Sequence, residues 1–241
     1  MRVAVCLSGY VRGMDACIPT WQKHLLSNHH QFDFFFCAGP TTEWINTVGI
    51  DPYLQKLRMN FNLINVSIAQ PVSAPYPKIL EDRNFNSRNL EHFLSMFDKI
   101  KQSNQLKSNH ETLHNFKYDC VIRLRPDVFL RTNVESLVEV SKWNVPKHGD
   151  FGGINDQFAW SSSENMDYYC SLYDNIIKYL EEDKSLTVNP EYLLKRHWEK
   201  ANVPLIRPNI LYNLARTNSD FLPDNETRER LQRESNGTRN L

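Results

Sequence analysis

A chain of 241 residues fits within one hydrophobic core, which can serve roughly 250–300 residues. Hydrophobic residues make up 41% and charged residues 23%, an ordinary globular balance that excludes disordered and fibrous classes. Lysine plus arginine equals aspartate plus glutamate at 28 each, so no global field draws nucleic acid or anionic lipid, and any anion recognition is local.

The opening residues Met1 to Gly9 are apolar for too short a stretch to be a secretory core or a membrane span. Val3 to Leu7 form a continuous apolar run closing in Ser8-Gly9, as in a strand covered on both faces. Ile18, Trp21, Leu25 and Leu26 then recur at helical spacing, and Phe32 to Ala38 make a second apolar run ending at Gly39-Pro40. Strand, helix, strand is the opening of a βαβ unit. A third strand is expected within Leu57 to Ile68, and Pro71 to Pro77, with three prolines, reads as an extended rim loop.

Leu90, Phe93, Leu94, Phe97 and Ile100 predict an amphipathic helix from about Ser87 to Gln105, with Ser87 as its N-cap. Tyr118 to Leu124 reads as a buried strand that Pro126 ends. Short strands are expected around Gly152-Gly153, between Gly149 and Trp160, followed by helices over Glu164 to Glu181 and Glu191 to Ala201. Asn189-Pro190-Glu191 combines an N-cap, a first-turn proline and an acidic residue facing the helix dipole. The pattern predicts a three-layer α/β domain over residues 1–222, built on a mostly parallel sheet, and a polar, mobile tail over 223–241.

Cys6, Cys17, Cys37, Cys120 and Cys170 are odd in number, scattered and without CxxC spacing. That argues against a disulfide framework or a zinc cluster and for a reducing compartment, so a cytoplasmic protein is expected.

Candidate chemistry gathers at strand ends, where open α/β sheets bind ligands. After the first strand comes Ser8-Gly9-Tyr10-Val11-Arg12-Gly13, whose glycines let backbone approach a ligand and whose arginine can pair with phosphate. The spacing is neither GxGxxG nor a Walker loop, and an ordinary tight turn is the alternative. The fourth strand delivers Arg123, Arg125 and Asp127 to its end, where they can meet a diphosphate directly and through a metal ion, or form a structural ion pair. Arg88, His92, Ser95 and Lys99 make a cationic stripe on the central helix, either solvated or turned to a ligand. Asp156 and Gln157 follow a Gly-Gly turn, so the carboxylate can serve as a general base, or close an Asx turn. His197 lies on the apolar side of its helix, Glu191 has an explanation as a dipole partner, and Tyr10, Trp143 and Trp160 divide between sugar stacking and the core.

Four segments taken in order carry a resemblance: Val5 to Gly13, Asn89 to Ile100, Ile122 to Asp127 and Asn155 to Phe158. Together, over residues 1–206, they resemble sugar-nucleotide glycosyltransferases of the GT-A fold, of the kind found in surface-polysaccharide loci and large DNA viruses. The resemblance implies transfer of a sugar from a nucleoside diphosphate sugar to a glycan or glycoconjugate acceptor. It implies that Ser8, Gly9, Tyr10 and Arg12 hold the nucleotide, and that Asn89, Ser95, Lys99, Arg123 and Arg125 meet the diphosphate or sugar. Asp127 stands where the family's Asp-x-Asp motif binds Mn2+ or Mg2+, and His197 matches a late histidine presented to that metal. The position two before Asp127 is Arg125 rather than aspartate, so the arginines are expected to assist the ion. Asp156 and Asp127 are the expected catalytic carboxylates, with Asp156 activating the acceptor. Glycan assembly machinery is a further expected partner; nucleic acid is not. Two other classes share these residue types: a metal-dependent phosphoryl-transfer enzyme or nuclease, and a non-catalytic carbohydrate-binding protein.

Overall fold

The two continuous apolar runs become β1 (Arg2–Gly9) and β2 (Gln31–Ala38), each buried along most of its length. The structure, a computed structural model, describes residues 1–11, 13–26, 29–39, 50–82, 87–134 and 139–215, the side chains of 87–89 excepted. The expected tail over 223–241 lies outside the described residues. Between the two strands α1 (Met14–His24) buries Met14, Cys17, Ile18 and Trp21, and the Trp21 indole donates to the Val128 carbonyl at 2.7 Å. β1 and β2 run parallel, from Arg2 opposite Gln31 to Gly9 opposite Ala38, as the βαβ reading requires.

α2 (Asp51–Asn60) precedes the expected third strand, β3 (Leu63–Ile68), and α3 (Lys78–Glu81) follows the proline-rich segment. The long α4 (Ser87–His114) extends past Gln105, beyond the expected end. The reason is that its buried positions turn polar: Ser103, Asn104, Lys107 and Glu111 are all buried. Lys107 Nζ donates to Glu111, Ser163 and Asp167 at 3.2, 2.8 and 2.7 Å, so each ammonium proton has an acceptor and the buried charge is compensated. Ser87 is the first helical residue, and what precedes it lies outside the described residues.

β4 (Cys120–Leu124) pairs in parallel with β1 on the side away from β2. Then come β5 (Val128–Leu130), β6 (Trp143–Asn144), β7 (Phe158–Ser161), α5 (Ser163–Cys170), α6 (Leu172–Glu182), α7 (Pro190–Ala201), β8 (Leu205–Ile206) and β9 (Tyr212–Leu214). The single helix expected over Glu164 to Glu181 is two, parted at Ser171. α7 starts as expected, with the Asn189 side chain accepting from the N–H groups of Glu191 and Tyr192 at 3.0 and 3.2 Å.

The main sheet has the order β3-β2-β1-β4-β7-β6-β8, and β5 pairs with β9 in a small separate sheet. Only β7 runs antiparallel to its neighbours in the main sheet. Alternation along β1 sends Val3, Val5 and Leu7 to one core, shared with α1 and α2, and Ala4 and Cys6 to another, shared with α4 to α7. Helices therefore cover both faces, giving three layers around a mostly parallel sheet. Trp160 and Trp143 are buried on opposite faces, and all five cysteines are buried free thiols. Among the described residues no helix is long and apolar enough to cross a membrane.

Candidate functional site

Parallel strands deliver their carboxyl ends to one edge: β1 at Gly9, β2 at Ala38 and β4 at Leu124. Because β7 is antiparallel it begins at that same edge, with Phe158 opposite Leu124. The turn after β1, the corner after β4 and the loop before β7 thus meet. There a cleft of about 290 Å³ opens. The first turn lines it with Ser8, Gly9 and Tyr10, α4 with His92, Met96 and Lys99, and the β4 corner with Arg123, Arg125, Pro126 and Asp127. The two turns touch: a Cβ on Gly9, whose φ is +134°, would stand 3.3 Å from Pro126 Cδ.

Arg123 is 1% exposed. Its Nη1 donates to the Gln157 carbonyl at 3.3 Å, while Nε and Nη2 have no partner among the described residues. Burial pulls its pKa down, and leaving a buried cation half-satisfied is costly unless an anion completes it. The buried Ser8 hydroxyl likewise has no partner among the described residues. Arg125 Nη2 bonds Asp127 Oδ2 at 2.8 Å, so the ion pair weighed from the sequence does form, on the wall of the cleft.

Lys99 is 2% exposed and Ser95 is buried, so this half of the stripe on α4 is not a solvated face, whereas His92 is exposed and the Arg88 side chain lies outside the described residues. Lys99 Nζ donates to the Ser95 carbonyl at 3.0 Å and lies 5.6 Å from the Tyr10 ring centroid; burial lowers its pKa. Gly39 makes room for it, since a Cβ there would be 2.4 Å from Lys99 Cε. Ser95 does not reach the cleft; its hydroxyl accepts from the Val72 N–H at 2.8 Å. Arg12 and the side chain of Asn89 lie outside the described residues.

Asp156 is buried on the loop before β7 and is not among the residues lining the cleft. The Asx turn weighed for it belongs to its neighbour, because Asn155 Oδ1 accepts the Gln157 N–H at 2.7 Å. Asp156 lies instead close enough to Arg123 and Glu191 to act on both electrostatically. Burial, and then the Asp156 charge, push the Glu191 carboxyl up to about 7. Glu191 is therefore more than a dipole partner, and sequence reasoning missed its neighbour. The signal was Gly152-Gly153: a Cβ on Gly153 would fall 2.0 Å from the Glu191 carbonyl oxygen, and the Ile154 N–H donates to that oxygen at 2.9 Å. Glycine there lets the first turn of α7 press against the 150–157 loop.

His197 corrects an expectation. It is fully buried, stacked on Tyr168, and both ring nitrogens are taken: Nε2 donates to the Tyr168 carbonyl and Nδ1 accepts from the Tyr179 hydroxyl, each at 2.7 Å. Burial pushes it down to about 4, so it is a neutral core histidine with no lone pair to offer a metal. Among the described residues no group of three or more His, Cys, Asp or Glu side chains is placed to hold a metal ion. His197 therefore does not fit as a ligand to a metal at Asp127, whose Oδ2 is held by Arg125 at 2.8 Å.

No curated protein matches the chain. A family model described as a domain of unknown function, DUF7796, matches residues 1–227, a span that takes in every cleft residue and every strand and helix above, and the chain belongs to that family.

Proposed function

We propose that this protein is a glycosyltransferase that moves a sugar from a nucleoside diphosphate sugar to a hydroxyl of a glycan or glycoconjugate. The observation that carries the proposal is Arg123, a buried guanidinium with two open nitrogens on the wall of a cleft. Lys99 and Arg125 line the same cleft, and Asp127 is the carboxylate facing these three cations. A diphosphate supplies the anionic oxygens that such a wall lacks. Tyr10 and Met96 offer an apolar surface for the attached base. A mostly parallel sheet with its cleft at the carboxyl ends of the strands also supports the reading.

In the proposed transfer the bond between the anomeric carbon and the diphosphate oxygen breaks, and its electron pair leaves with the diphosphate. Arg123, Arg125 and Lys99 meet that developing charge in place of a divalent ion, each well-placed donor worth about 2.7–4 kcal/mol. The acceptor oxygen bonds to the same carbon and gives its proton to the Asp156 carboxylate. Buried thiols suit a reducing compartment, and we place the reaction in the cytoplasm.

The test is thermal melting with uridine and guanosine diphosphates, each with and without Mn2+, followed by a screen of sugar nucleotides for release of the diphosphate. Stabilisation by one nucleotide and turnover of its sugar conjugate are expected. A chain indifferent to every nucleotide, or stabilised by free sugar alone, sinks the proposal.

A further inference from the structure

We infer that Phe151 and Tyr192 form a platform for a neutral pyranose ring, the acceptor sugar of the reaction proposed above, on which the inference rests. Phe151 is 72% exposed although it is a large apolar side chain, and its φ of +40° is one that L-residues rarely adopt. The turn that holds it is fixed. Arg207 Nη2 grips the Asp150 carboxylate at 2.5 and 2.7 Å, the Asn155 N–H donates to that carboxylate at 3.0 Å, and the Gly153 N–H donates to the Asp150 carbonyl at 2.7 Å. The ring is thus presented to solvent by a tied loop rather than left there by a slack one.

A second aromatic stands beside it. A Cβ on Gly152 would lie 2.4 Å from the Tyr192 hydroxyl oxygen, so the tip of Tyr192 covers the residue next to Phe151. Tyr192 is itself 38% exposed and directly follows Glu191 in the first turn of α7. Tyr192 thus adjoins the buried Glu191 in sequence, and Phe151 lies on the same loop as the buried Asp156, five residues before it. That loop adjoins the anion cleft, because Arg125, a wall of the cleft, acts on Glu191 and donates its N–H to the Gln157 carbonyl at 3.1 Å. The buried Arg123, a wall of the cleft with two open nitrogens, feels the Asp156 charge.

The chemistry of the neighbourhood selects the ligand. Two carboxyl groups disfavour a phosphate or another acid, so the occupant is not a second nucleotide. Two rings are far too small a patch for a protein partner, which buries about 1,200–2,000 Å². A pyranose has both properties required: a weakly positive C–H face that packs on an aromatic ring, and hydroxyls that donate to carboxylates.

The experiment uses the full chain on an array of immobilised neutral hexose and N-acetylhexosamine oligosaccharides, with nucleotide-induced thermal shifts measured in parallel. The wild type should bind one sugar class. Phe151→Ala should weaken that binding at least tenfold, Phe151→Trp should retain it, and all should keep the wild-type response to nucleotide. Absence of any array binding by the wild type, or undiminished binding by Phe151→Ala, overturns the inference. Parallel loss of sugar and nucleotide responses in Phe151→Ala overturns it too, since the ring would then be acting through the fold. If the wild type ignores nucleotides yet binds sugar through Phe151, the platform stands and the transferase reading is what fails.

Discussion

Arg123 and Arg125 share one acceptor, the carbonyl oxygen of Gln157, through the Arg123 guanidinium at 3.3 Å and the Arg125 N–H at 3.1 Å. That oxygen fastens the β4 corner to the loop before β7, and it satisfies one of the three guanidinium nitrogens. The other two keep their desolvation cost in the free protein and can recover it when an anion enters.

Arg123→Met keeps much of the volume and removes the charge. Replacing an incompletely paired buried ion by an apolar side chain is often neutral or stabilising by about 1–4 kcal/mol. The variant is therefore expected to melt at or above the wild-type temperature while losing its response to uridine or guanosine diphosphate. Melting curves with and without nucleotide check both halves. A destabilised variant that still responds would show that Arg123 serves the fold and not the ligand.

Much of this arrangement was legible in the sequence because it rests on continuous signals. The apolar runs at Val3 to Leu7 and Phe32 to Ala38 read as covered strands, and Asn189-Pro190-Glu191 as a helix start. The far half of α4 was illegible because Lys107 and Glu111, buried against each other, look like a solvated pair to any reading of periodicity. The association of Asp156 with Glu191 was hidden for another reason. It depends on two segments separated by more than thirty residues, joined through a backbone contact at Gly153 that no side-chain pattern announces.

Asp127 separates arginine-based neutralisation from metal-based neutralisation. Asp127→Asn removes the one carboxylate that lines the cleft among the described residues while leaving an acceptor for Arg125. Weakening a partly buried charge-assisted bond should cost about 1–3 kcal/mol of stability. Nucleotide affinity should hold or rise, because a negative charge facing the diphosphate has gone. In the wild type, adding Mn2+ after treatment with chelator should leave the affinity unchanged. Titration calorimetry decides the matter, and a loss of affinity on either change would restore the metal at Asp127.

Gly153→Ala tests the contact that brings Glu191 to Asp156. The new methyl group would sit 2.0 Å from a backbone oxygen, which no side-chain rotation can relieve. The first turn of α7 must then withdraw from the loop. A loss of about 1–3 kcal/mol in chemical denaturation is expected, the usual cost of overpacking. Separated from Asp156, Glu191 should also titrate lower than about 7, which carboxyl resonances followed by NMR would report. A variant with wild-type stability and an unmoved Glu191 titration would mean that Gly153 is there by accident.

Glu191 and His197 predict a hidden pH dependence of stability. Glu191 is raised from 4.5 to about 7, so the folded chain keeps a proton that the unfolded chain has released, and stability is lost as pH rises through that window. His197 is lowered from 6.5 to about 4, so the unfolded chain takes up a proton that the folded chain refuses, and stability is lost as pH falls through that window. The two windows overlap and their slopes oppose, so their contributions largely cancel in the wild type between about pH 4.5 and 6.5. Glu191→Gln removes one of them. In that variant stability should climb with pH across the overlap by on the order of 2–3 kcal/mol more than in the wild type. Urea denaturation at half-unit steps from pH 4.5 to 7.5 measures the difference, and parallel curves for the two proteins would show that Glu191 is not held protonated by burial beside Asp156.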